Sequence, residues 1–331
     1  MASPRPLLDP SRHEPIERRR DHVPRFLFRA WHARSGGGPD FATNSTSEIV
    51  PHAFMPGKQR DIPTFYEAPE TMLYWNAINH YHGNACSDSE FSSWASSLHL
   101  VLCYATYKLN KKDPHIAIMD THNLDGNILV WHVPDLIGQR NHEYLAWGQI
   151  SGRGYKAVSL YNLHQKGLKN VFPELELCTD TWGTALRHEM FSKPLTKISR
   201  EELDVVRNIA SPFGDLSLPV AVALVCIRPK SLLTSKMGGQ NRSISNLMVG
   251  LRITKLPVEF QKLHQERWLE PGMVDTKGFS DVEQWICLFD RILKSKYLGQ
   301  MEAKNEPNDE DVWGNGRLRP RDVKGHVVKE T

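Results

Sequence analysis

The sequence has few cysteines, no long hydrophobic run and little excess charge, and each shortage excludes something. Its five cysteines, at positions 86, 103, 178, 226 and 287, form no CxxC pair. An odd, scattered set argues against a disulfide framework and a structural zinc site. Cys103, Cys226 and Cys287 lie in apolar runs and read as small buried hydrophobes of a reducing compartment. No stretch approaches the ~20 apolar residues of a membrane-spanning helix. The leader MASPRPLLDPSRHEPIERRR has no apolar signal-peptide core. Net charge is only +3 over 331 residues, too mild for a dedicated nucleic-acid binder, and Arg18-Arg19-Arg20 reads as part of a solvated leader. The expectation is a soluble, intracellular, cytoplasmic protein with no membrane and no specific nucleic-acid partner. The Asn44-Ser45-Thr46 sequon is then incidental. Ser35-Gly36-Gly37-Gly38 lacks the Lys-Ser/Thr ending of a phosphate-binding loop, and no GxSxG elbow occurs.

What is present is a 40% hydrophobic chain with 24% charged residues, enough for one large core or two small ones. Residues 1–23 and 301–331 lack periodicity and are expected to be disordered. Residues 24–165 form a strand-rich domain, and residues 166–300 a mostly helical extension or second subdomain, so the fold class is α+β. FLFRAW is a strand, and residues 39–64, with four prolines, are loop-like. FSSWASS is a short strand running into a helix that Ser96 or Ser97 caps. HIAIMDT, ILVWHV and YLAWGQI are further strands, and KAVSLYNL is a strand or a helix. Later, TALRHEMFSKPL and SREELDVVRNIA are helical, the latter with a capping box from Ser199 to Glu202. LPVAVALVCI (218–227) is a buried strand or helix. Residues 256–268 and 280–298 read as amphipathic helices.

Few residues announce chemistry by themselves. His80 and His82 alternate as on one face of a strand but lack the carboxylates of a metal site, so a polar loop is the plainer reading and no metal is expected. Cys86, four residues from His82, makes a poor nucleophile–base pair. Three segments carry more when taken together. FLFRAWHARSGGG ends an apolar run with Arg29 and continues to His32, Arg34 and three glycines. FSSWASSLHLVLCYA holds Ser93, Trp94 and Ser96. NHEYLAWGQI holds Asn141 and Glu143.

In this order, Arg, Ser and Glu resemble the ADP-ribosyltransferase fold, in the branch typified by the catalytic subunits of cholera and pertussis toxins. That branch has an aromatic-Arg strand, a Ser-Thr-Ser strand leading into a helix, and a Glu that opens a strand of small and apolar residues ending Gly-x-Ile. Phe28-Arg29 with Arg34, Ser92 to Leu98, and Glu143 with Ala146, Gly148 and Ile150 match these elements. The chain is also similar to an uncharacterised domain of fungal proteins. The likeness covers about residues 24–165. It implies split mixed sheets with NAD, as substrate, in the cleft between them. By the resemblance, Arg29 grips the phosphates with His32, Arg34, Trp94 and Asn141 as further NAD contacts. Ser93 or Ser96 braces the glutamate or the ribose, and Glu143 is the catalytic carboxylate. Such a carboxylate suits the cation-like ribosyl centre formed when nicotinamide leaves, and a planar guanidinium suits phosphates.

The implied function is transfer of ADP-ribose from NAD to a macromolecular, protein acceptor, or NAD hydrolysis, a glycosyltransferase-class reaction. Asn141 stands two positions before Glu143, where arginine-modifying members carry an acid. That favours an alternative, a catalytically silent domain whose cleft binds another protein. A third reading, a structural protein without nucleotide affinity, predicts no NAD binding at all.

Overall fold

The computed structural model describes residues 22–40, 42–57, 70–83, 89–107, 113–125, 128–138, 142–180, 182–231, 240–253, 256, 260 and 263–305. The strands are β1 (Phe26–Trp31), β2 (Ala42–Asn44), β3 (Glu48–Pro51), β4 (Phe91–Ala95), β5 (His115–Asp120), β6 (Leu129–His132), β7 (Glu143–Trp147), β8 (Ile150–Ser151) and β9 (Tyr155–Ser159). The α-helices are α1 (Glu70–His82), α2 (Leu98–Thr106), α3 (Val133–Ile137), α4 (Leu160–Gln165), α5 (Leu168–Val171), α6 (Thr184–Ser192), α7 (Arg200–Ala210), α8 (Ser217–Val225), α9 (Gln240–Gly250) and α10 (Ser280–Asn305). The fold is α+β. Six strands form one antiparallel sheet in the order β6-β7-β4-β1-β5-β9, and β2-β3-β8 form a second. The part after β9 is largely helical.

Strand alternation explains β1, whose successive side chains enter different environments. Phe26 meets Phe260, Trp268 and Phe289 edge-on at 5.5, 6.3 and 5.5 Å, and Phe28 meets Trp285 at 6.4 Å. Leu27 and Trp31 turn the other way, into a cluster shared with Ile49 and Ile150 of the smaller sheet. The first face and the C-terminal helices thus share one continuous core. A buried ion pair adds to it. Arg25 donates from Nε and Nη2 to Asp120 at 2.6 and 2.8 Å, and from Nη1 to Glu266 at 3.3 Å.

Several local expectations need correction. Residues 42–51, expected as loop, contain β2 and β3. Ser45 Oγ accepts from the amides of Ser47 and Glu48 and makes the turn between them, so polar residues support a strand pair here. His80 and His82 lie on helix α1, not on a strand or loop. The described part of 256–268 is not one helix but includes short 3-10 turns at Leu263–Gln265 and Arg267–Leu269, with Glu266 extended between them and tied to Arg25 and Trp268. Ser97, not Ser96, caps α2, accepting from Leu100 N at 2.9 Å and donating to the buried Asp281 at 2.6 Å. The run 218–227 is mainly helix α8. Its side chains are buried all round, which erases the periodicity that separates helix from strand. The stretch Arg200–Val225 is long and apolar enough to cross a membrane, but it is α7 and α8 joined by a 3-10 turn kinked at Gly214, and its apolar part is mostly buried. KAVSLYNL divides into the end of β9 and the start of α4. Helix α10 reaches Asn305, so 301–305 are helical. Residues 1–21, Cys86 and 306–331 lie outside the described residues.

Candidate functional site

β1 and β4 pair at a single register position, Phe28 opposite Ala95, whereas β1 runs along β5 for its whole length. Beyond that pair the two strands part, and a cavity of about 390 Å³ opens between the sheets. Parting leaves β4 backbone groups without ladder partners, and buried carbonyls must be satisfied elsewhere. Arg29 does this, its Nη1 donating to the Ser93 carbonyl at 2.8 Å. Its Nη2 donates to Asn44 Oδ1 at 3.4 Å, and Asn44 in turn donates from Nδ2 to the Ser35 carbonyl at 3.1 Å. Burial pushes Arg29 down from the ordinary arginine value, while Tyr155, Tyr104 and Glu143 oppose that shift. Even so, an arginine stays charged.

Arg29, Ser93, Trp94 and Glu143 all line this cavity. Glu143 opens β7 opposite Ala95 and is partly exposed. Ser93 is partly buried, and its hydroxyl lies 3.0 Å from His80 Nε2. His80 Nδ1 lies 2.6 Å from Ser89 Oγ, so the ring bridges two serines. Burial first, and the Arg29 charge second, push His80 down to about 3. The imidazole is therefore neutral at physiological pH, with one nitrogen donating and the other accepting. Asn79 lines the cavity beside it.

The remaining residues are distributed differently. Ser96 is buried and does not line the cavity; its carbonyl accepts from Trp285 Nε1 at 3.0 Å. His32 and Arg34 also lie outside the lining. They form a turn in which the Arg34 amide donates to His32 Nδ1 at 3.2 Å, and the Arg34 side chain is exposed. Trp94 lies against the cavity wall, its indole donating to Ser92 Oγ at 2.9 Å and its ring meeting Tyr155 edge-on. Trp31 stacks on His115 at 4.1 Å, away from the cavity. Asn141 lies outside the described residues. Of the three glycines, Gly36 touches the cavity and adopts φ 69°. A Cβ there would come within 2.9 Å of Ala42 Cβ, so this glycine lets a turn pack against β2.

Asn44, His52, His80 and Trp182 are among the lining residues that sequence did not pick out as site residues. Asn44 sits in a sequon, which masks its role as a clamp on Arg29. His80 gives no signal in sequence that it reaches Ser93, because helix α1 brings it there. Among the described residues no three of His, Cys, Asp and Glu cluster as a metal site.

Residues 22–159 match the model of a family described as a domain of unknown function, DUF7587. No curated protein and no solved structure matches the chain. The matched segment ends on the last residue of β9 and contains every strand of both sheets. It also contains every cavity-lining residue except Trp182, which comes from the helical part.

Proposed function

We propose that this protein has an ADP-ribosyltransferase-like domain whose cleft binds NAD as a substrate and transfers its ADP-ribose to a macromolecular acceptor or to water. The observation that carries the reading is the meeting of Arg29, Ser93 and Glu143, far apart in sequence, around one cavity. In this reading the bond between nicotinamide and ribose C1′ breaks, and its electron pair leaves with the nicotinamide. The Glu143 carboxylate faces the cation-like ribose and accepts a hydrogen bond from a ribose hydroxyl, an interaction that strengthens as positive charge grows. Arg29 supplies a fixed cation for phosphate oxygens, held in place by the Ser93 carbonyl and Asn44. Ser93, held by His80, braces the ribose or the glutamate. The acceptor oxygen or nitrogen then bonds to C1′ and releases its proton. The chemistry requires no metal, and an intracellular, cytoplasmic setting supplies NAD.

The test is release of nicotinamide from NAD by the full chain. The wild type is expected to turn NAD over, and Glu143→Gln to be slower by about 10²-fold or more, the scale of losing one preorganised electrostatic group. Turnover unchanged by the substitution would remove Glu143 from the reaction. Asn141, two residues before Glu143, favours a second reading, a silent domain that uses the same cleft for protein interaction. NAD binding without release of nicotinamide would support it.

A further inference from the structure

The cleft's outlying lining residue, Trp182, belongs to the helical half, yet its main chain is held from several sides. Its amide donates to Asp180 Oδ1 at 2.9 Å, and the same oxygen accepts from the Thr184 amide at 3.4 Å. Its carbonyl accepts from Arg187 Nε at 3.1 Å. Arg187 also donates to the Gly278 carbonyl and lies over the Phe279 ring at 4.2 Å. Phe279 in turn packs against His142, the neighbour of Glu143, with ring centroids 3.9 Å apart. The next residue, Gly183, packs on Cys103 so closely that a Cβ there would lie 2.5 Å from its side chain. Asp180 on one side and Gly183 on the other are thus both tied to their surroundings.

Trp182 is nonetheless 53% exposed. Trp94, the other tryptophan of the lining, is 2% exposed and already engaged with Ser92 and Tyr155. A large apolar ring left facing water beside the cleft is an open stacking surface. With the main chain fixed, ordering it costs only the two side-chain torsions.

We infer that Trp182 is the ring-stacking wall of the cleft, supplied by the helical half, and that a planar heteroaromatic ring of the bound dinucleotide lies against it. This inference rests on the proposed reading of the cleft. It assigns Trp182 to binding and not to the bond-breaking step.

The experiment is calorimetric titration of the full chain with NAD, ADP-ribose and nicotinamide, using wild type, Trp182→Phe, Trp182→Leu and Trp182→Ala. Thermal melting confirms that each variant folds. Trp182→Phe, which keeps an aromatic face, is expected to bind NAD within about threefold of wild type. Trp182→Leu and Trp182→Ala are expected to bind about tenfold more weakly, the scale of one lost base–aromatic stack. The same loss should appear with whichever of ADP-ribose and nicotinamide retains the stacked ring. If wild type binds NAD and the Leu and Ala variants bind it equally well, the inference fails while the reading of the cleft stands. If wild type does not bind NAD, the reading fails and takes the inference with it.

Discussion

Phe26 and Arg29 lie three residues apart on one strand and meet opposite surroundings. Phe26 is fully buried among Phe260, Trp268 and Phe289, rings contributed by the chain's last third. Arg29 sits where β1 and β4 part, its guanidinium held by a carbonyl and an amide. Apolar burial stabilises the first position by about 2 kcal/mol or more. At the second, hydrogen bonds only offset part of the desolvation that Arg29 suffers. The lesson is that both faces of β1 are core over most of its length, and only around Arg29 does one of them open onto the cavity. The helical half that holds Phe26 is also the half that supplies Trp182 to the cleft.

The sharpest way to break this comparison is to remove the helical half. A fragment ending at Ser159 retains every strand of both sheets but exposes Phe26 and Phe28. It is expected to lose cooperative unfolding altogether in a thermal melt followed by circular dichroism. A cooperative transition in the fragment would show that the strand half is self-sufficient. The milder form, Phe26→Ala in the full chain, should cost about 3–5 kcal/mol in denaturant unfolding.

An intermediate effect comes from two histidines, one for each region. His80 lines the cleft, and His99, fully buried on α2, lies near Phe191 of α6. Burial pushes both down to about 3 from 6.5; Arg29 adds to the shift at His80, and Arg187 and Arg228 add to it at His99 while Glu174 opposes it. Between those values the unfolded chain binds protons that the folded chain does not, so stability must fall as pH drops below 6.5. The slope is at most about 1.4 kcal/mol per pH unit for each histidine. Stability measured from pH 7 to 5 should decline less steeply in His99→Leu and in His80→Asn than in wild type. Equal slopes in all three would mean that neither ring is held neutral.

The smallest effect is expected at Gly36. Its positive φ and the nearby Ala42 methyl make Gly36→Ala costly by about 1–2 kcal/mol. If the turn only decorates the surface, the midpoint in urea will not move.

Much of this architecture was legible in the chain, for physical reasons that vary by position. β5, β6 and β7 are short apolar runs between turn residues, and a strand buried on both faces leaves that trace. Arg29, Ser93 and Glu143 were singled out because their order and neighbours resemble a known pattern, and the three line one cavity. β2 and β3 were not, since Ser45, Thr46 and Pro51 read as loop until hydrogen bonds to another strand are known. The segment 256–268 carries apolar residues at helical spacing, yet Leu263 and Trp268 reach the core from turns held by Arg25 and Glu266. Asn44, His80 and Trp182 escaped because each acts through a partner distant in sequence or in a separate element.

The lone pairing of Phe28 with Ala95 has a mechanical corollary. In a sheet every shared ladder resists shear, and the β1–β4 seam carries almost none of that load. Pulled along its strands, the sheet is expected to tear there first, between the strand that bears Arg29 and the strand that bears Ser93. The fissure that opens the cavity is also the molecule's fault line, and a ligand bridging its two banks would act as a rivet.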